Sequence, residues 1–243
     1  VKLTRTAFFL FLLLLLLKMP ADASIDLLED TINGVNVKVI SIDLTDRRVC
    51  ITPEVKLGLP FDTESLQSFL CRKRPVAAIN GTYFNMETST PVGEITIAGK
   101  KVNSSGIGTV FALTTDRKAC FFDAKRQAKV NRKCFEMTLG AGPRLLEKGK
   151  ICHSFSAEGF RDKNILRPAS RSAIAISFRK HLYLAVSFSA IDLDRWARTL
   201  WNLGCSDAMN LDGGSSVAMS YRGVVLASPA RPLSNFIAVY YRD

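Results

Sequence analysis

"SAIAISFRKHLYLAVSFS" (residues 172–189) holds two apolar runs separated by the polar residues Arg179, Lys180 and His181. It reads as two strands joined near residues 179–181, the strongest hairpin signal in the chain. Downstream, "DLDRWARTLWNLG" (residues 192–204) places Leu193, Trp196, Ala197, Leu200 and Leu203 at helical spacing, with Asp192 or Asp194 as cap and Gly204 as stop. Upstream, "VNVKVISIDL" (residues 35–44) alternates as a half-buried strand does, and "PVAAIN" (residues 75–80) reads as a short buried strand. A helix is expected between them in "DTESLQSFLCRK" (residues 62–73), capped by Asp62 or Thr63.

Further extended runs surround Ala98 and Gly99, a hairpin in "GTVFALTTDRKACFFD" (residues 108–123) turns about residues 115–118, and two strands close the chain near residues 224–226 and 236–241. Strands outnumber helices and most are linked by hairpins. The expected fold is therefore α+β, a single domain with a mixed, largely antiparallel sheet core and a few packed helices. It would run over residues 24–243, with no repeat and no low-complexity linker.

The beginning of the chain reads differently. Lys2 and Arg5 precede an apolar run over residues 7–17 and an Ala21-Asp22-Ala23 cleavage pattern, so residues 1–23 are expected to be a secretory signal peptide. The run is shorter than the ~20 residues of a spanning helix, so no stable membrane insertion is expected after cleavage. Removing this segment, with Lys2, Arg5, Lys18 and Asp22, lowers the formal charge from +11 to +9. A basic surface favours anionic partners. The cations Arg72, Lys73, Arg74, Lys125, Arg126, Lys129, Arg132 and Lys133 lie in short loops without interleaved aromatics, and export makes a genomic partner implausible, so no nucleic acid is expected. Six cysteines, at 50, 71, 120, 134, 152 and 205, form an even set in an exported chain, which suggests at least one disulfide; Cys120 and Cys134 could bridge a hairpin.

Several chemistries are poorly served. No G-x-S-x-G elbow is present, and the two histidines, His153 and His181, have no recognisable catalytic partner, which argues against a serine triad. Phosphate loops of the G-x-x-x-x-G-K-[ST] and G-x-G-x-x-G kinds are absent, and no His/Asp/Glu cluster has metal-ligand spacing. No cofactor is required, although Asp212 beside backbone carbonyls could hold a hard cation such as calcium.

Two glycine turns remain, "AAINGTYFN" (residues 77–85) and "AMNLDGGSSVAM" (residues 208–219), each following a short apolar strand. Both put an Asn at a strand end, and the second adds a carboxylate beside glycines that let backbone N–H groups approach a ligand. Such a set suits a sugar; both stretches could equally be hairpin turns with Asx bonding.

Together with "GAGPRLLEKGK" (140–150), "RSAIAI" (171–176), "LGCSDAMNLDGGSSVAM" (203–219) and "RPLSNFIAVYY" (231–241), these turns resemble the phosphodiester glycosidase family in order and approximate spacing over nearly the whole mature chain. The chain differs in having Asn80-Gly81-Thr82 where the family often has Asn-Gly-Gly, Gly213-Gly214-Ser215 where three glycines are common, and Ala175 where Gly often follows the Arg-containing strand.

The resemblance implies hydrolysis of a sugar-1-phosphodiester at the anomeric carbon, leaving a phosphomonoester, with a glycan or sugar-1-phosphate diester as substrate. A phosphate monoester leaves more readily than an alcohol, which relaxes the usual demand for a strong general acid. Asp212 is then the expected catalytic carboxylate, and Arg171 the expected cation drawing on phosphate through paired N–H bonds. Arg144 is a second cationic candidate, though a surface salt bridge suits it better. Asn80 and Asn210 could bond sugar hydroxyls, Tyr83 or Phe84 could pack on the ring, and Gly81, Gly213, Gly214 and Ser215 complete the expected substrate-binding set. Glu94 and Glu158 are possible second carboxylates without a motif that places them near Asp212. The alternatives are a secreted glycan-binding or envelope-structural protein on the same fold, and a nuclease using the basic surface.

Overall fold

The hairpin of residues 172–189 forms as β12 (Ala169–Ser177) and β13 (His181–Ile191), with Ala173 opposite Ala185 and Ile174 opposite Leu184. The structure, a computed structural model, describes residues 24–56, 61–125, 134–152, 157–160 and 162–242. The expected signal segment, His153 and the basic residues Arg126, Lys129, Arg132 and Lys133 lie outside the described residues.

Around this hairpin grows a seven-stranded sheet. β13 pairs with β2 (Val35–Asp43), which pairs with the edge strand β1 (Ile25–Ile32); β12 pairs with β14 (Cys205–Asn210), followed by β10 (Arg144–Glu147) and β11 (Lys150–Ile151). A five-stranded sheet has the order β16 (Val224–Ala227), β15 (Met219–Tyr221), β4 (Ala77–Asn80), β17 (Asn235–Tyr241) and β3 (Val49–Val55). The third sheet is β6 (Lys100–Asn103), β5 (Ile95–Ile97), β9 (Phe135–Ala141), β7 (Thr109–Thr114) and β8 (Ala119–Asp123). All pairings of these strands are antiparallel, so the mixed component expected from sequence is not found among the described residues.

One apolar core serves all three sheets. Strand periodicity puts Ile40 and Ile42 of β2 into it, with Ile51, Ile79, Phe111, Leu139 and Ile237 from the other sheets. Val35, Val37 and Val39 point the opposite way, onto α2 (Leu193–Asn202), whose Trp196, Ala197 and Leu200 are fully buried. Asp192 caps that helix by accepting from the Arg195 N–H at 2.7 Å. A smaller cluster packs α1 (Leu66–Lys73) on the outer face of the five-stranded sheet, where Phe69 stacks on Phe236 at 4.2 Å.

Two expectations need correcting. α1 starts at Leu66 with Ser65 as its cap, not at Asp62 or Thr63, because Glu64 is held extended by reciprocal 2.9 Å backbone bonds to Leu233. None of the six cysteines is in a disulfide. They sit on separate elements, and the Cys120 and Cys134 pair is divided by β7: Cys120 opposes Ala112, while the Cys134 carbonyl accepts from Thr115. Two strand spacings amount to about 9–10 Å, beyond the ~7 Å Cα reach of a disulfide.

Candidate active site

The ends of four strands converge on one place. β4 and β14 run into it, while β12 and β17 run out of it, because each incoming strand is antiparallel to its outgoing neighbour. β12 and β14 belong to one sheet and β4 and β17 to another, so the site lies on the seam between two sheets. Asn80 at the end of β4 closes the seam. Its Nδ2 donates to the Asp212 main-chain oxygen at 2.7 Å and to Ser172 Oγ at 3.0 Å, while its Oδ1 accepts from the Ala218 N–H at 3.1 Å. Ser172 Oγ donates to the same Asp212 oxygen at 2.5 Å, and the Asp212 N–H donates to the Gly81 carbonyl at 3.2 Å. The backbone of Asp212 is thus fixed from both sheets, and its side chain is left to face outward.

That side chain borders a cavity of about 860 Å³, walled by Tyr83, Phe84, Phe160, Arg171, Arg231 and the 212–215 turn. Asp212 is only 8% exposed. Burial raises its carboxyl above the ordinary aspartate range, against the opposing pull of Ser216, Arg231 and the Gly213 N–H. Arg231 Nη2 stands 3.2 Å from Asp212 Oδ2 and also donates to Ser216 Oγ. Its Cζ lies 4.9 Å from the centre of the Phe84 ring. A second carboxylate, Asp162, reaches the cavity at its exposed rim and caps a short 3-10 turn by accepting from the Asn164 N–H at 2.8 Å.

Arg171 lines the same cavity yet is almost fully enclosed. Its guanidinium donates to the carbonyls of Ile191 (3.0 Å), Ile165 (3.0 Å) and Arg167 (2.6 Å). Burial lowers its proton affinity, but a guanidinium keeps its charge in proteins, so Arg171 is a fixed cation facing carbonyls. Gly213 passes close by. A Cβ there would lie 2.9 Å from the Ser170 carbonyl and 3.9 Å from Arg171 Nη1, so bare backbone is what fits between the cation and the turn. Gly214 takes a left-handed φ of 59° and opens a 3-10 turn over residues 214–216 that presents Ser215 exposed in the cavity.

Tyr83 apart, the other expected residues stand behind this surface. Asn80 is occupied within the seam. The ring of Tyr83 faces the cavity, but its hydroxyl is fixed, donating to the Gly142 carbonyl at 2.6 Å and accepting from Asn210 Nδ2 at 2.8 Å. Asn210 therefore supports Tyr83 from a fully buried position. Gly81 is required by a close approach: a Cβ would fall 2.0 Å from Asn235 Oδ1. Arg144 is outside the cavity lining, paired with Asp207 at 2.6 Å and stacked 4.4 Å from the centre of the Phe121 ring. Glu158 is also structural in placement, accepting from the Arg144 N–H and from Thr109 Oγ1, and Glu94 accepts from Thr138 Oγ1. Among the described residues no three His, Cys, Asp or Glu side chains come together as a metal site would need.

Sequence reasoning missed Arg231, Phe160 and Asp162. Arg231 opens the stretch "RPLSNFIAVYY" and is brought to the site because the Ala230 N–H donates to the Ser215 carbonyl at 2.8 Å.

No curated protein sequence matches the chain. Solved structures share its fold, among them the following three. A hypothetical protein from Synechocystis has a TM-score of 0.72 at 18% identity, covering 90% of this chain, which spans 62% of that protein's length. The catalytic domain of zebrafish N-acetylglucosamine-1-phosphodiester alpha-N-acetylglucosaminidase, auto-inhibited by pro-peptide, has a TM-score of 0.71 at 20% identity, over 90% of this chain and 82% of that one. An exported protein so described from Burkholderia pseudomallei has a TM-score of 0.62 at 13% identity, over 85% of this chain and 74% of the other. The family model for phosphodiester glycosidases matches residues 73–240, which take in β4, β12 and β14 and all but the last residue of β17, and by that match the chain belongs to the phosphodiester glycosidase family.

Proposed function

We propose that this chain is an exported glycosidase that hydrolyses a sugar-1-phosphodiester at the anomeric carbon. Free sugar is released and the phosphate stays on the other product as a monoester. The observation that carries this reading is the pairing of one deeply set carboxylate, Asp212, with two cations, Arg171 and Arg231, on the wall of a single cavity. In the reaction, water oxygen bonds to the anomeric carbon as the bond from that carbon to the phosphate oxygen breaks. The electron pair leaves with the phosphate, and Asp212 takes the proton from water. In the same position its charge stabilises the positive charge growing on the sugar ring. The guanidinium groups favour the leaving phosphate, whose charge increases as the bond breaks. The ring of Tyr83 offers an apolar face on which a sugar can pack.

Incubation with UDP-N-acetylglucosamine and with an aryl sugar-1-phosphate diester in oxygen-18 water tests the reaction. Free sugar carrying the label is expected. Label in the phosphate would make the protein a phosphodiesterase or nuclease, and binding without turnover would make it a glycan-binding protein. Export belongs to the same proposal and rests on the basic start, apolar run and Ala21-Asp22-Ala23 pattern. Terminal sequencing of the exported protein should begin at or near Ser24; residues ahead of it retained on the soluble form would count against cleavage.

A further inference from the structure

Of the three cations that line the cavity, Lys125, Arg171 and Arg231, the two arginines hold their charges in different ways. Arg171 is locked on three main-chain carbonyls. Arg231 is divided between a strong acceptor side and a weak one. Its Nε and Nη2 donate to Ser216 Oγ at 2.9 and 2.6 Å, and Nη2 also reaches Asp212 Oδ2 at 3.2 Å. Its remaining nitrogen, Nη1, rests 2.7 Å from the sulfur of Met86, a residue that lines the cavity and is 62% exposed. A thioether is a poor acceptor for a guanidinium N–H. An anionic phosphate oxygen is a much better one, and an approaching phosphate finds this side of Arg231 turned toward the opening.

We propose that Arg231 is a shared cation: it holds Asp212 in the free protein and turns to the phosphate when a phosphodiester binds, so that arrival of the substrate frees Asp212 to accept a proton. This rests on the phosphodiester reading of the site. The other charged groups on the cavity wall are Arg171 from β12, Lys125 just beyond β8, which donates to the Ala157 carbonyl, and Asp162 at the rim, which caps its own turn; Tyr83 lies beyond β4, and Ser216 and the Gly213 N–H are neutral donors of the Asp212 turn. Arg171 has its guanidinium bonded to carbonyls, and Tyr83 is kept neutral because burial holds its hydroxyl well above the ordinary range. Arg231 is therefore the charge whose hold on Asp212 a ligand can alter. Burial already drives the Asp212 carboxyl toward its protonated form, and weakening the Arg231 contact lets that drive act. The base would thus be weakly basic while the cavity holds only water and more basic once the leaving group is in place.

The test needs no turnover. The Asp212 carboxyl carbon, identified by its loss in Asp212→Asn, is titrated by carbon-13 NMR with and without saturating inorganic phosphate, which below neutral pH is a monoanion like a phosphodiester. In the wild-type protein phosphate should move the Asp212 midpoint up by about one pH unit, the ordinary size of a nearby-charge effect. In Arg231→Gln the midpoint without phosphate should already be high, and phosphate should add little. Arg231→Lys, with one ammonium that cannot serve two partners at once, should keep a midpoint near wild type and lose the response to phosphate. This second variant decides the matter if Arg231→Gln does not fold. A phosphate response of equal size in wild type and variants, as direct repulsion through space would give, overturns the proposal. So does absence of any response in wild type. A protein that shows the response but cleaves no sugar phosphodiester loses the glycosidase reading and keeps the shared cation; turnover without the response does the reverse.

Discussion

Asn80 and Asp212 are 132 positions apart, and the carboxamide of the first donates to the main-chain oxygen of the second at 2.7 Å. Asn80 ends β4 and Asp212 lies two residues past the end of β14, and these strands belong to different sheets. The bond is therefore what registers one sheet against the other at the mouth of the cavity. With its N–H and its main-chain oxygen both held, Asp212 keeps its carboxylate on the cavity wall.

Asn80→Ala should lower stability by about 1–3 kcal/mol, because it leaves the buried Ala218 N–H without its acceptor and removes one of the two side chains on the Asp212 oxygen. Urea denaturation measures this. Activity should fall by more than the loss of folded protein explains, since the aim of Asp212 depends on the same bond. An Asn80→Ala protein with native stability and full activity would remove Asn80 from the seam.

Gly81→Ala should destabilise for a steric reason. The added Cβ would meet Asn235 Oδ1 at 2.0 Å, and that carboxamide cannot swing aside without losing its bonds to the Thr82 N–H at 2.7 Å and the Thr82 carbonyl at 3.1 Å. A cost of about 1–3 kcal/mol is expected for such overpacking. The double variant with Asn235→Ala should be less unstable than the sum of the two single variants, because removing the Asn235 carboxamide removes the clash. Additive losses would show that the two groups do not meet.

How much of this was legible in the sequence depends on the range of the interaction. The β12–β13 hairpin, the helix capped by Asp192 and the two glycine turns are written in local pattern, and each forms where the pattern puts it. β1 was not legible: "IDLLEDTI" sets Leu27 beside Leu28 and Glu29 beside Asp30, and as an edge strand with four successive exposed residues it has no second face to bury. The start of α1 was misjudged because the pull that holds Glu64 extended comes from Leu233, far along the chain. Arg231 was hidden for the same reason. Nothing near it in sequence announces a partner, and it meets Asp212 only because the β15–β16 hairpin returns the chain to the 214–216 turn.

Arg171 offers a separation of charge from geometry. If its partner in the proposed reaction is the phosphate, Arg171→Ala should weaken kcat/KM on a phosphodiester much more than on an uncharged aryl glycoside of the same sugar. Arg171→Lys keeps the charge but lacks the planar fork that serves the Ile165, Arg167 and Ile191 carbonyls together. It should therefore lose about 1–3 kcal/mol of stability through unpaired carbonyls, while keeping more of the preference for the phosphodiester than the alanine variant. Equal losses on the two substrates for Arg171→Ala would remove this residue from the phosphate clamp.

Asp212→Asn keeps the size of the side chain and removes its charge, so rate and stability should move in opposite senses. If Asp212 is the base, turnover of a sugar phosphodiester should drop by about two orders of magnitude or more. For stability the sign follows from burial. The folded carboxyl is raised above its unfolded value, so its favourable contribution is full below the ordinary aspartate range and is lost as pH rises through the folded value. The wild-type protein should accordingly lose stability relative to Asp212→Asn across that acidic window, and the difference should level off once Asp212 is ionised. Thermal denaturation of both proteins at a series of pH values measures it, and the slope, not the constant offset, carries the information, because an amide and a protonated carboxyl differ in their hydrogen bonds to Ser216 and Arg231 independently of pH. A difference that stays flat through the window would mean that Asp212 titrates alike in the folded and unfolded chain. A variant that also turned over at the wild-type rate would leave the 212–216 turn as a structural corner between two sheets.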